Sequence, residues 1–96
     1  MNRYLLSPRA RGDLEAIWDY SQSNWGQEQA EAYMRQIQRA LETLARDPRR
    51  GRPCDEIRPG YRKFPAASHI IFFRLSGDDL DVVRILHQRM DYDSNL

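Results

Sequence analysis

Two histidines, His69 and His87, and fourteen arginines are the residues of this 96-residue chain with the most capacity for chemistry. Acid–base cleavage of a phosphodiester needs a base, cations to hold the phosphate charge, and an acid for the leaving oxygen. The raw materials are here: Glu56 or His69 as base, Arg62, Arg74 or Arg84 as phosphate clamps, and His87 or Tyr92 as acid. Arg62 and His87 are the pair on which such a reaction would turn. Against this stands the ordinary role of a lone histidine at a strand end, which is a hydrogen-bonded structural residue. Two histidines without a cysteine pair do not make a zinc site, so no metal is expected. Gly51, Gly60 and Gly77 are isolated and form no phosphate-cradling loop, so no nucleotide cofactor is expected either. Cys54 lies in a polar segment beside Arg52, and a single cysteine in a loop is usually incidental.

Charge is local rather than global. Fifteen basic and fourteen acidic residues leave a net charge of +1, yet Arg46 to Lys63 holds seven basic residues against three acidic ones. Only Lys63 is a lysine. Arginine presents a planar fork suited to carboxylates and phosphates, although a GC-rich coding bias enriches arginine as well. The segment fits the carboxylates of a protein partner or phosphates held by one. Direct DNA binding by this chain alone ranks last, because a sequence-independent binder normally carries more net charge.

The length allows one domain, residues 1–96, and 41% hydrophobic with 30% charged residues is globular usage. One cysteine excludes an internal disulfide framework and points to a reducing compartment. Met1 to Pro8 lacks the apolar core of a leader, and no window approaches eighteen apolar residues, so the reading is cytoplasmic with no membrane partner. Tyr4-Leu5-Leu6 reads as a short strand, closed by Ser7-Pro8, a capping residue followed by proline at the first helical position. Leu14, Ile17, Trp18 and Ser21 then recur at helical spacing, Asn24-Trp25-Gly26 breaks the period, and Ala30, Tyr33, Met34, Ile37, Leu41, Leu44 and Ala45 open a second helix that ends at Asp47-Pro48. Two prolines and a glycine make the next segment a loop. Three strand-like runs follow, around Tyr61 to Phe64, His69 to Leu75 and Leu80 to His87, the last two joined by a tight turn at Gly77-Asp78. In the last run Leu80, Val82, Arg84 and Leu86 are expected on one face and Asp81, Val83, Ile85 and His87 on the other. The tail from Met90 is polar and reads as a frayed turn or short helix. The fold class is α+β: an antiparallel-type sheet of about four strands, in the order β-α-α-β-β-β, with a helical hairpin on one face.

These elements carry Asp13 to Tyr20, Trp25-Gly26, Asp47-Pro48 with Gly51-Arg52-Pro53, Ile57 to Arg62, His69 to Arg74, and Val83 to Asp91 with its Ile-Leu-His-Gln-Arg-Met-Asp ending. Their order and spacing resemble the ParE branch of the RelE/ParE toxin superfamily, the toxin half of bacterial type II toxin–antitoxin modules, over nearly the whole chain. The resemblance implies a RelE-like fold, a non-enzymatic toxin that inhibits DNA gyrase, and a ParD-like antitoxin that neutralises it by direct binding. Arg58, Arg62, Arg84, His87 and Arg89 are then the candidates for facing the target. RelE-type relatives are mRNA endoribonucleases, which is the alternative reading. Such nucleases commonly carry an arginine next to the position of His69 and a tyrosine or histidine-tyrosine pair beyond the last strand, where this chain has Ile70 and Met90-Asp91. Of the large aromatics, Trp18, Tyr20, Trp25, Phe72 and Phe73 cannot all be hidden in so small a domain. A leftover apolar groove between the first helix and the sheet would seat an amphipathic antitoxin helix.

Overall fold

The structure is a computed structural model that describes residues 3–96. Met1 and Asn2, which the sequence reading includes in its domain and in its N-terminal segment, lie outside the described residues.

The chain runs β1 (Tyr4–Leu6), α1 (Pro8–Trp25), α2 (Gln27–Arg46), a 3-10 turn (Pro48–Arg50), β2 (Arg52–Pro53), β3 (Arg62–Ala66), β4 (His69–Ser76), β5 (Asp79–His87) and α3 (Tyr92–Asn95). Ser7 caps α1 through its hydroxyl, which accepts from the Ala10 N–H, and Pro8 opens the first turn. Only Gly26 separates the two helices. It sits at φ 89°, a conformation that L side chains rarely adopt, and closes α1 while starting α2. The expected three-residue break is therefore one residue, because Asn24 and Trp25 stay helical.

Five strands form one sheet in the order β1-β5-β4-β3-β2, one more than the sequence suggests. The additional strand is Arg52–Pro53, whose two residues have no apolar alternation to reveal them. The sheet is also not purely antiparallel, since Tyr4, Leu5 and Leu6 pair in parallel with Leu80, Asp81 and Val82.

Two cores lie on opposite faces. On the helical face Ile17, Ile37, Leu41 and Leu44 pack on Ile71, Phe73, Leu80, Val82 and Ile85. On the other face Cys54, Phe72 and Leu86 are covered by Ile57, Tyr61, Tyr92 and Leu96. The tail is thus a docked one-turn helix, with Tyr92 stacked 5.0 Å from Phe72. Burial pushes the Cys54 thiol above its ordinary pKa, which keeps it unreactive.

The expected face assignment of the last strand fails at a β-bulge. Phe73 pairs with Val82 but Phe72 pairs with Arg84, so Val83 is an extra residue and the alternation changes phase. Leu80, Val82, Ile85 and His87 consequently lie on the helical face, and Arg84 and Leu86 on the other. Gly51 is required by a close approach, because a Cβ there would sit 2.2 Å from the Phe73 ring. No helix among the described residues is long and apolar enough to cross a membrane.

Candidate functional site: a cleft beside the open edge of the sheet

The strand β1 ends at Leu6, where the chain turns into α1, so β5 loses its neighbour beyond Val82. Side chains take over the exposed edge. The Ser7 backbone N–H donates to the Val82 carbonyl, and its hydroxyl donates to the Val83 carbonyl at 2.7 Å. Asp13, one turn into α1, accepts the Ile85 N–H at 2.9 Å and both Nε and Nη2 of Arg84 at 2.8 Å. Arg84 is rooted on the far face and wraps round the edge to reach this carboxylate, and its Nη1 donates to the Asn95 carbonyl. Hydrogen bonding to Asp13 raises the Arg84 pKa still further, so the guanidinium is permanently charged.

Between α1, the α1–α2 corner and the ends of β4 and β5 lies a cleft of about 440 Å³. Tyr20, Trp25, Tyr33, His69, His87 and Met90 give it its character. Four ring contacts run through it in sequence: Tyr20 to Trp25 at 5.9 Å, Trp25 to Tyr33 at 5.7 Å, Tyr33 to His69 at 5.6 Å and His69 to His87 at 5.3 Å. Three of the five large hydrophobic residues left exposed anywhere on the described surface, Tyr20, Trp25 and Met90, belong to this one site. It is a concave, mainly aromatic surface with polar groups only at its base.

The base is tightly ordered. The Ser68 N–H donates to the Tyr33 hydroxyl at 3.1 Å, which leaves that hydroxyl's own hydrogen for His69 Nδ1, 2.6 Å away. The neutral ring then carries its proton on Nε2. His87 Nδ1 accepts the Arg89 N–H at 3.2 Å. Burial pushes the His69 pKa below its ordinary value and the neighbouring His87 adds to this, against a smaller opposing effect of Asp13.

The sequence candidates distribute unevenly. Tyr20 and Trp25 line the cleft, Trp18 is half-buried outside it, and Phe72 and Phe73 are fully buried on opposite core faces. These two phenylalanines therefore offer no surface to a partner. Arg84 is equally withdrawn, at 9% exposure. Arg58 donates to the carbonyls of Ile57 and Asp93, tying the loop to α3, while Arg89 is exposed just beyond β5. Arg62 donates to the Gly51 carbonyl and is not near His87. Its strand partner is Phe73, four positions along β4 from His69, so the pair is separated by about 13 Å along the sheet and about 10 Å across it. Glu56 is exposed in the loop, Arg74 forms an exposed pair with Asp81, and Tyr92 faces the other core. Of the proposed base, clamps and acid, the structure brings together only His69 and His87. Among the described residues no group of three or more metal-ligating side chains occurs. Neither the edge-closing role of Asp13 nor the hydrogen bonds of Tyr33 is expected from the sequence. Asp13 leaves a signal, because Asp13, Ile17 and Ser21 fall at four-residue spacing and place a carboxylate in line with the buried stripe.

A helical hairpin, a mixed sheet and an apolar cleft beside an unpaired edge together define a small α+β domain of the toxin–antitoxin type. Residues 4–92 match the family model described as the ParE toxin of type II toxin–antitoxin systems, parDE, and the chain belongs to that family. It is 57% identical over 96 residues to Toxin ParE1 of Mycobacterium tuberculosis, covering 99% of this chain and 98% of that one. It is 42% identical to Toxin ParE1 of Caulobacter vibrioides, with 100% and 99% covered. Among solved structures, a chain of the chromosomal ParDE TA system from P. aeruginosa superposes with a TM-score of 0.79 at 25% identity, covering 91% of this chain and 95% of that one. The RelE-like architecture expected from the sequence is thereby matched.

Two outcomes follow from the geometry. Asp13→Asn leaves the Arg84 guanidinium without its counter-charge and should destabilise the domain by about 3 kcal/mol in urea titration. Because His69 is held neutral in the fold and its unfolded value is 6.5, the unfolded chain binds more protons below that pH. Stability is therefore complete above pH 6.5 and should decline as the pH falls toward the depressed folded value. His69→Gln should remove this part of the decline in thermal melts across pH 5 to 8.

Proposed function

We propose that this ParE-family chain arrests bacterial growth by inhibiting DNA gyrase, and that a ParD-like antitoxin silences it by seating an amphipathic segment in the aromatic cleft. Full-length similarity to proteins named as ParE toxins supports the toxin assignment. The observation that carries the antitoxin half is the cleft itself, where Tyr20, Trp25 and Met90 stand 62%, 46% and 40% exposed around a concavity of about 440 Å³. Exposed aromatic anchors around a concave floor are what an amphipathic helix covers when it folds on binding. The scatter of Arg62, Arg74 and Arg84 away from His69 and His87 favours this reading over RNA cleavage, which would need cations at the histidines.

Incubation of antitoxin-free protein with gyrase, ATP and supercoiled plasmid, followed by detergent and protease, should yield linear DNA only when both proteins are present. Unchanged plasmid beside degraded RNA in a parallel tube would reverse the assignment in favour of the endoribonuclease. Removing two central aromatic anchors typically costs a complex at least 2 kcal/mol, so Tyr20→Ala with Trp25→Ala should weaken capture of the antitoxin roughly 30-fold. The same variant should leave the yield of linear DNA unchanged; intact capture would remove the cleft as the antitoxin seat.

A further inference from the structure

The small net charge conceals a strong separation. Arg35 to Lys63 contains nine basic and four acidic residues, whereas the rest of the chain contains six basic and ten acidic. Part of the first set lies along one face of α2 and the segment that follows it. Arg35, Arg39 and Arg46 lie within about 40° of one another on α2, at 100° per residue. They face away from Ile37, Leu41 and Leu44, which enter the core. Directly after α2, the 3-10 turn and the edge strand β2 add Arg50 and Arg52. All five are exposed. Among the described residues none of the five has a carboxylate within ion-pair distance, whereas Arg3, Arg49, Arg74 and Arg84 each do. Glu42 lies on the same stripe between Arg39 and Arg46, and Glu31 one turn before Arg35, but neither is within ion-pair distance of these arginines.

We propose that this arginine ridge is a sequence-independent binding surface for the phosphate backbone of nucleic acid. The inference rests on the charge layout alone and is independent of the gyrase reading. Three features select a polyanion over an acidic protein segment. None of the exposed large hydrophobic residues, Leu5, Tyr20, Trp25, Leu75 and Met90, lies between Arg35 and Lys63, so the ridge lacks the apolar anchors of a protein interface. The β2 edge is two residues long and one of them is Pro53, so it cannot template an added strand. The three α2 arginines span about 16 Å at 1.5 Å per residue, which matches four or five phosphates of one strand at about 3.4 Å each.

The test is fluorescence anisotropy of the full-length chain with a labelled random-sequence DNA duplex of about 25 base pairs across a salt series. With five arginines engaged, the log–log slope should be about −4.5, so affinity should fall on the order of 10²–10³-fold between about 50 and 200 mM salt. Arg35→Gln with Arg39→Gln and Arg46→Gln should make the slope shallower by about 3. A variant with the same charge loss elsewhere, Arg3→Gln with Arg11→Gln and Arg74→Gln, should keep it. All six positions are exposed, and circular dichroism establishes that each variant is folded. Absence of salt-dependent binding, or an unchanged slope in the ridge variant, overturns the proposal. So does polyglutamate that displaces the protein as effectively as unlabelled duplex at equal charge, since the ridge would then be an acidic-protein surface.

Discussion

Asp13 does in this fold what a strand would otherwise do. The β1–β5 pairing stops at Val82 because Ser7 caps the first helix immediately after Leu6. From there the β5 edge would expose unpaired backbone groups, which cost free energy when buried and recruit other chains when open. One carboxylate answers both problems by accepting the Ile85 N–H and the fork of Arg84 together. The side chains of the pair are only 11% and 14% exposed, so the desolvation penalty is substantial and is offset only because the carboxylate has three donors in good geometry. The result fixes α1 against the sheet edge. Together with the Ser7 bonds to Val82 and Val83 and the packing of Ala10 and Ile17, this holds α1 beside the cleft.

The bulge at Val83 sets the floor of the cleft. Strict alternation would place Ile85 and His87 on the face opposite Leu80 and Val82. The extra residue returns both to the helical side, where Ile85 joins the main core and His87 meets His69 directly across the ladder. It also sends Leu86 to the second core with Phe72 and Cys54, so one irregularity serves three sites. Bulges re-aim side chains near functional surfaces at the cost of a locally disrupted ladder. Here the re-aimed group is an imidazole that the cleft holds against a second one.

What the sequence made legible follows the strength of each periodic signal. Both helices and the three long strands rest on repeats of 3.6 or 2 residues, the Ser7 cap and the Gly77 turn on local residue preferences, and these were readable, whereas the break at Gly26 was read two residues too long. Arg52–Pro53 was not, because two residues cannot express a period, and the parallel register of β1 depends on a partner seventy-six positions away. The same limit governs the site. Tyr20 and Trp25 were readable as surplus aromatics, but Phe72 and Phe73 were not separable from them, since burial of both sheet faces depends on the loop from Cys54 and on α3 folding back. Arginines are the least legible residues of all. Arg84 closes an edge, Arg58 ties a loop to the C-terminal helix, and Arg35, Arg39 and Arg46 face solvent, yet composition gives all five the same description.

The cleft and the arginine ridge occupy different parts of the molecule for a reason traceable to α2. Tyr33 and Arg35 are two residues apart, which on a helix is about 200° of rotation. Tyr33 therefore reaches the base of the cleft while Arg35 points away from it. A segment seated against Tyr20, Trp25 and Met90 covers the aromatic side and leaves the ridge in solvent unless it continues across the outer face of α2. Asp13 is the one carboxylate that lines the cleft, and it is occupied by Arg84. The aromatic cleft and the arginine ridge therefore share no residue.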